Sequence, residues 1–180
     1  CRSYFMFHGL DASEPHSIFK YLPVLSFAES YIYQLDALNE RMVDVLLKNV
    51  MSSVTDHEDV KFSLFGPLVT KLESCGLMTK RIRNELQNGE DYWRLERKLC
   101  SAVSRKKEIS ISDVLTAIHS KSFDYRVLNL LLYELQARKV NDQHMEFLSV
   151  SEFLVEISDD LMMFWRTILM YCGCSCIYTE

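Results

Sequence analysis

Four acidic side chains near the carboxyl end of the sequence are spaced so that they could hold a metal ion. Glu152, Glu156 and the pair Asp159-Asp160 follow one another at intervals of three or four residues. On an α-helix this spacing places carboxylates along one face. Mg²⁺ binds carboxylate oxygens and water, and the bound metal can in turn hold a diphosphate. We therefore take Glu156, Asp159 and Asp160 as candidate metal ligands, and a solvated acidic helix face is the alternative interpretation.

A second set of carboxylates occurs early in the sequence. Asp36, Glu40 and Asp44 recur every four residues and share one face of a predicted helix. They could face the first set across a bundle and form a carboxylate site between two helices. The alternative is a solvated charged stripe, because basic residues are interleaved with these acids.

The elements that must position these side chains are predicted to be α-helices. Glycine and proline are scarce, five and three in 180 residues, and no proline follows Pro67. Apolar residues recur at intervals of three and four, which indicates helices. We expect an all-α fold of about seven helices, packed as an orthogonal or antiparallel bundle around a central leucine-rich helix. The predicted helices cover about 23–50, 58–74, 80–87, 90–106, 113–119 and 125–139, and a last helix, capped by Asn141 or Asp142, runs to 161 or beyond.

Several residues predict where these helices begin, end and pack. Thr79 and Ser112 are predicted N-caps, as is Thr55 or Asp56 for the helix from 58. Gly76 is a predicted C′ glycine, and Asn88-Gly89 is predicted to stop a short helix. The first long helix carries an apolar stripe that we expect to be buried, made of Leu25, Ala28, Ile32, Leu35, Leu38, Met42, Val45 and Leu46.

Composition excludes several classes of function. The formal net charge of −5 argues against general nucleic-acid binding, which needs a basic surface. No run of about 18 apolar residues is present, so no transmembrane helix is expected. A glycine-rich phosphate loop is also absent, which excludes nucleotide binding by a P-loop or a Rossmann element. Cys75 and Cys100 stand alone on helical patterns and are predicted to be reduced core thiols, which favours an intracellular reducing compartment.

The composition changes abruptly at Met162. Residues 162–180 contain three of the six cysteines and one of the two tryptophans. Met162-Met163-Phe164-Trp165 fixes almost every nucleotide, and moving the reading frame back by one base yields an acidic, helix-like string beginning x-Asp-Val-Leu-Glu. We therefore predict a helical domain at 1–161, a fragment of a larger bundle, followed by an out-of-frame tail at 162–180. The first residue, Cys1, predicts that the amino end is also processed or missing.

The acidic helix resembles a known family. Asp159-Asp160-Leu161, within a long apolar helix of an all-helical sequence, resembles the aspartate-rich element of class I terpenoid (isoprenoid) synthases. The stretch 122–161 is similar to plant proteins assigned to that superfamily. The resemblance implies a helical cavity that binds an isoprenoid diphosphate through Mg²⁺ and holds a carbocation against aromatic side chains. The expected cavity aromatics are Tyr31, Tyr92 and Trp93.

The sequence departs from the family pattern in ways that bear on activity. The third aspartate of the motif is missing because the sequence changes at Met162, and no second metal-binding motif occurs. We therefore expect a terpenoid-synthase-like protein with a remnant Mg²⁺-diphosphate site that is catalytically incompetent.

The alternative is a non-enzymatic helical module that binds a protein partner or acts as a scaffold. The first hypothesis predicts that Glu156, Asp159 and Asp160 surround a concavity with aromatic walls, and the second predicts that they are splayed on a convex surface. An incomplete bundle also predicts self-association through exposed apolar surface.

Overall fold

A computed structural model describes residues 2–11, 13–48 and 64–171. Every regular element in these ranges is an α-helix, which confirms the all-α prediction. Six of the helices have nine or more residues. None of the described helices combines the length and apolar composition that a membrane crossing requires. The elements are α1 (Arg2–Phe7), α2 (Pro15–Phe19), α3 (Leu22–Lys48), α4 (Gly66–Ser74), α5 (Lys80–Ser104), α6 (Ile111–Lys121), α7 (Phe123–Leu135) and α8 (Asp142–Tyr171).

The chain divides into two compact units, Cys1–Asn141 and Asp142–Glu180. In the described residues, α1 to α7 form the first unit and α8 alone forms the second. The tail boundary expected after residue 161 falls inside α8, and the out-of-frame tail stays a prediction. The cysteines of the tail, at 172, 174 and 176, lie outside the described residues.

The central helix of the first unit is α7. It packs against α3 and α5, and α5 also packs against α3 and α6. A helix surrounded in this way must be apolar on most of its circumference, and α7 is. Its side chains from Val127 to Tyr133 are at most 4% exposed. The leucine-rich stretch therefore forms the core of a helical bundle, as the sequence predicts.

The predicted break at Asn88-Gly89 is wrong, because α5 runs without interruption from Lys80 to Ser104. Gly89 is buried inside this helix, and a Cβ atom built on it would lie 2.3 Å from Cε2 of Phe123. Glycine is needed here so that the ring at the start of α7 can approach the backbone of α5, and it does not end the helix.

Two local signals are confirmed on either side of the α4–α5 connection. Gly76 has a φ of +68°, the left-handed conformation of a C′ residue after α4. Thr79 is the N-cap of α5, and its Oγ1 accepts a hydrogen bond from the Ile82 amide at 3.2 Å. Both predictions succeeded because a helix end depends on the chemistry of adjacent residues.

Two other helix starts differ from the predictions. The helix α4 begins at Gly66, with Pro67 in its first turn, where a missing N–H leaves no hydrogen bond unmade. The start predicted at 58 and its cap at 55 or 56 lie outside the described residues. Ser110 is the N-cap residue of α6, and Ser112 is inside the helix, where its carbonyl accepts a hydrogen bond from Thr116. The predicted Ser112 cap is therefore wrong by two residues.

The predicted stripe of α3 is buried only in its amino-terminal half. Its first three members, up to Ile32, are at most 8% exposed, whereas Leu38 is 46% and Met42 is 52% exposed. Asn39 is 3% exposed and occupies the packed position instead. The side chain of Leu46 lies outside the described residues. The second half of the stripe is therefore wrong, because α5 presents polar partners for Asn39 at this level of the bundle.

The residue that follows α1, His8, binds to α7 and so holds the amino-terminal helix against it. Nε2 of His8 lies 2.9 Å from Oδ1 of Asn129, and Nδ2 of Asn129 donates to the Tyr125 carbonyl at 2.9 Å. Since the amide nitrogen is already a donor, the oxygen accepts and His8 Nε2 carries the proton. The His8 ring also meets Tyr133 edge-on at 4.7 Å, and Arg138 donates to the His8 carbonyl at 3.0 Å. These contacts hold both the side chain and the backbone of His8.

The two thiols of the described residues are free. Cys75 is exposed, so its prediction as a core residue is wrong, since it follows α4 at the surface. Cys100 is partly buried, and burial, followed by the charge of Glu96, raises the pKa of its thiol.

Candidate functional site

A polar cluster joins α3 to α5 within the first unit. Oε2 of Glu96 accepts a hydrogen bond from Asn39 Nδ2 at 2.5 Å, and Arg97 donates to Oδ1 of Asn39. The Tyr92 hydroxyl donates to the other oxygen of Glu96 at 2.9 Å. The nitrogen and the oxygen of the buried Asn39 amide are thus both hydrogen-bonded, to Glu96 and to Arg97, which are adjacent in the chain. Such satisfied buried groups specify how helices align.

Asp36 and Trp93 connect this cluster to the aromatic core. Trp93 is fully buried, and its Nε1 donates to Oδ1 of Asp36 at 2.8 Å. The indole stacks on Phe65 with ring centroids 5.4 Å apart and meets Phe123 edge-on at 5.5 Å. The structure thus places Trp93 and Tyr92 in packed interior. Their predicted role as cavity aromatics stays a prediction.

A second carboxylate, Asp124, lies close enough to Asp36 for the two charges to interact. Burial raises the pKa of the Asp124 carboxyl, and Asp36 raises it further, although a hydrogen bond from the Tyr125 amide opposes these effects. Burial, followed by Asp124 and other nearby carboxylates, also raises the pKa of the Tyr33 hydroxyl. Two carboxylates and a phenol therefore gather where α3 meets the start of α7.

Replacing Asp124 by asparagine will stabilise the protein at neutral pH. The raised pKa belongs to the folded state, so folded protein binds this proton more tightly than the unfolded chain does. Ionised Asp124 therefore opposes folding above the raised pKa, and this cost vanishes as the pH falls below the ordinary carboxyl pKa. In urea titrations, the advantage of Asp124→Asn should be largest at pH 7 and shrink through that acidic window. An advantage of the same size at all pH values, or one shared by exposed Asp44→Asn, would contradict this assignment.

The remaining predicted aromatic, Tyr31, borders an open groove. The groove has a volume of about 760 Å³, and the Tyr31 hydroxyl at its edge donates to the Leu64 carbonyl at 3.2 Å. Lys71 supplies the charged group of the lining, and the Thr70 hydroxyl donates to the Gly66 carbonyl. The full lining is Tyr31, Leu64, Gly66, Pro67, Thr70, Lys71 and Ser74. The structure therefore separates Tyr31 from the buried pair Tyr92 and Trp93.

The members of the second carboxylate set, Asp36, Glu40 and Asp44, differ in their exposure to solvent. Asp36 is half-buried against Trp93, whereas Glu40 and Asp44 are exposed on α3. Within the described residues, no group of three or more His, Cys, Asp or Glu side chains is arranged to hold a metal ion. The predicted sharing of a metal by these carboxylates stays a prediction.

The first carboxylate set lies on α8, in the second unit. Asp159 and Asp160 are exposed, Glu156 is half-exposed and Glu152 is buried. The Ser158 hydroxyl, adjacent to the aspartates, donates to the Leu154 carbonyl at 2.7 Å and not to a carboxylate. Both aspartates are thus exposed side chains of α8.

The same helix carries an exposed row of apolar side chains, which we call the α8 seam. Successive members are three or four residues apart, the heptad spacing by which one helix packs along another. All are between 41% and 59% exposed. The α8 seam consists of Phe147, Val150, Leu154, Ile157 and Leu161.

Sequence reasoning identified Asp36 and the α8 acids but missed Asp124, Glu96 and the α8 seam. Asp124 had the sequence signal of an acid in the first turn of a helix, which is usually a helix-dipole residue. The seam had a clear signal in its alternating three- and four-residue intervals, but the same spacing is typical of a buried face. Only the exposure of these side chains separates the two interpretations.

The chain matches no protein-family model, and searches of curated proteins and of solved structures return no similar protein.

Proposed function

We propose that this chain is a non-enzymatic helical module that binds a helix of a partner protein along the α8 seam. The observation that supports the proposal is the seam itself. Five apolar side chains with heptad spacing are exposed on one helix. Single exposed apolar residues are ordinary, but a continuous row is characteristic of interaction surfaces.

Helix pairing would bury these side chains without any change in α8. Burying one large aliphatic side chain contributes roughly 1.5–3 kcal/mol. The seam side chains are already about half buried, so pairing with an amphipathic helix would add about half of this amount for each of the five, and this gain has to exceed the cost of association. The exposure of Asp159 and Asp160 also supports the interaction module, for which we expect these acids on a convex surface.

A designed amphipathic peptide with an isoleucine and leucine heptad seam and glutamine at its flanking positions tests this function. We expect it to bind the full chain in a fluorescence-anisotropy titration. Leu154→Asp should weaken binding by at least about 30-fold, because a charge replaces the central apolar contact. Val155→Asp is the matched control, since Val155 is 55% exposed beside Leu154 but lies off the seam.

The control variant should bind within about threefold of the wild-type chain, since it leaves the seam intact. Equal losses in Leu154→Asp and Val155→Asp would show that the peptide does not use the seam. Failure of the wild-type chain to bind the peptide would count against the docking function altogether.

A remnant Mg²⁺-diphosphate site is the second candidate function. It is supported by the position of the Asp159-Asp160 pair within a long helix, α8, as the resemblance to the aspartate-rich element implies. Calorimetric titration with Mg²⁺ and a non-hydrolysable allylic diphosphate separates the candidates: heat that Asp160→Ala abolishes favours the diphosphate site. The same titration on a chain restored to the alternative reading frame after Leu161 tests whether the tail removes that site.

A further inference from the structure

We infer that the partner helix carries lysine or arginine beside its own apolar seam, an inference that rests on the proposed docking function. The residues from Asp142 to Met163 include no Lys or Arg, and an acidic residue occurs in every turn or two of the helix. These acids are Asp142, Glu146, Glu152, Glu156, Asp159 and Asp160. A helix that packs along residues 142–163 of α8 therefore faces acidic side chains and no Lys or Arg of α8.

The acids are concentrated on one side of the α8 seam. Glu146 and Asp160 directly flank the seam in the heptad, at the positions that face a partner's side chains. The corresponding positions on the other side are Ser151 and Ser158, which are uncharged. Both Glu146 and Asp160 are exposed. The seam thus has one acidic edge and one neutral edge.

Charges at these flanking positions select which helices pair. Opposite charges across a seam favour association, and like charges disfavour it. A basic edge on the partner complements Glu146 and Asp160 and fixes the side on which it lies. A second copy of the α8 seam carries no lysine or arginine at its flanking positions, so the observed charges favour a different, basic helix over self-pairing.

Three peptides with the same apolar seam, flanked by lysine, glutamine or glutamate, test this inference against the full chain. We expect the lysine peptide to bind at least about tenfold more tightly than the glutamine peptide at about 50 mM salt, and the glutamate peptide to bind weakest. Raising the salt to about 500 mM should remove most of this difference, because screening weakens exposed ion pairs.

Matched variants locate the effect. The double variant Glu146→Gln/Asp160→Asn should lose the preference for lysine and keep its affinity for the glutamine peptide. The double variant Glu40→Gln/Asp44→Asn removes the same amount of negative charge from two exposed acids of α3 and should keep the preference. A lysine preference that survives the first variant, or disappears in the second, would assign the selectivity to other charges and overturn the inference.

The remaining outcomes are also decisive. Equal binding of all three peptides would overturn the basic partner and leave the docking function standing, whereas no binding by any peptide would overturn both. Light scattering adds a check on self-pairing. A wild-type dimer that Leu154→Asp converts to a monomer would show that a second copy occupies the seam, and the basic partner would be rejected.

Discussion

Replacing Trp93 by alanine will lower the free energy of unfolding by about 3–5 kcal/mol, the range expected when a large aromatic is removed from a core. Trp93 is fully buried between Phe65 and Phe123. Its removal leaves a cavity at the junction of α3, α5 and α7 and deprives half-buried Asp36 of its indole donor. Urea unfolding followed by circular dichroism measures the loss without relying on the fluorescence that the substitution removes.

Two further variants separate packing from hydrogen bonding at this position. Trp93→Phe keeps most of the ring but loses the N–H, so it should cost roughly 1–3 kcal/mol, less than the alanine variant. Phe19→Ala is the surface control, because Phe19 is 64% exposed, and it should change stability by no more than about 0.5 kcal/mol. A Trp93→Ala protein as stable as this control would show that the aromatic cluster does not hold the bundle together.

Replacing Gly89 by alanine will destabilise the protein by about 1–3 kcal/mol, the usual cost of overpacking a core. Intrinsic helix propensity alone gives the opposite sign, since alanine is favoured over glycine inside a helix by about 1 kcal/mol. The steric effect dominates because the new methyl group would lie within 2.6 Å of three atoms of the Phe123 ring. The ring is 3% exposed and has little room to move away.

Gly66→Ala is the matched control for this prediction. Gly66 begins α4, and a Cβ atom added there meets no atom within 4 Å. Its replacement should therefore be neutral or slightly stabilising. Combining Gly89→Ala with Phe123→Leu should cost less than the sum of the two single changes, because both act on one contact. Additive losses of stability would show that the two substitutions do not act on a common contact between Gly89 and Phe123.

The parts of the fold that the sequence predicted well are those with local causes. Gly76 and Thr79 act on residues within the same turn, so their types were sufficient to place the end of α4 and the start of α5. The same local reasoning failed at Gly89, where the cause is Phe123, a residue 34 positions later in the chain. A glycine that allows close packing and a glycine that ends a helix look alike in a sequence.

In the candidate sites too, the features set by neighbouring residues could be predicted from the sequence, whereas the contacts between distant residues could not. The spacing of Asp36 on a helix face was apparent, but its donor Trp93 is 57 residues away. Asn39 lies in the interior and Leu38 does not, because Glu96 and Arg97 meet the amide from another helix. Periodicity indicates that a helix has an apolar face, but the partner decides which face is covered. This is also why the α8 seam could not be recognised as exposed from its spacing.

The fastening of α1 to α7 has a consequence for the order in which the chain folds during synthesis. His8 meets Asn129 across 121 residues, and Arg138 meets the His8 carbonyl across 130. A ribosome makes the amino end first, so α1 has to wait for its docking surface until α7 has emerged. During that interval Phe5, which is 4% exposed in the folded protein, cannot yet be buried in the core. The helix α1 is therefore synthesised well before its docking surface and settles only after α7 has emerged.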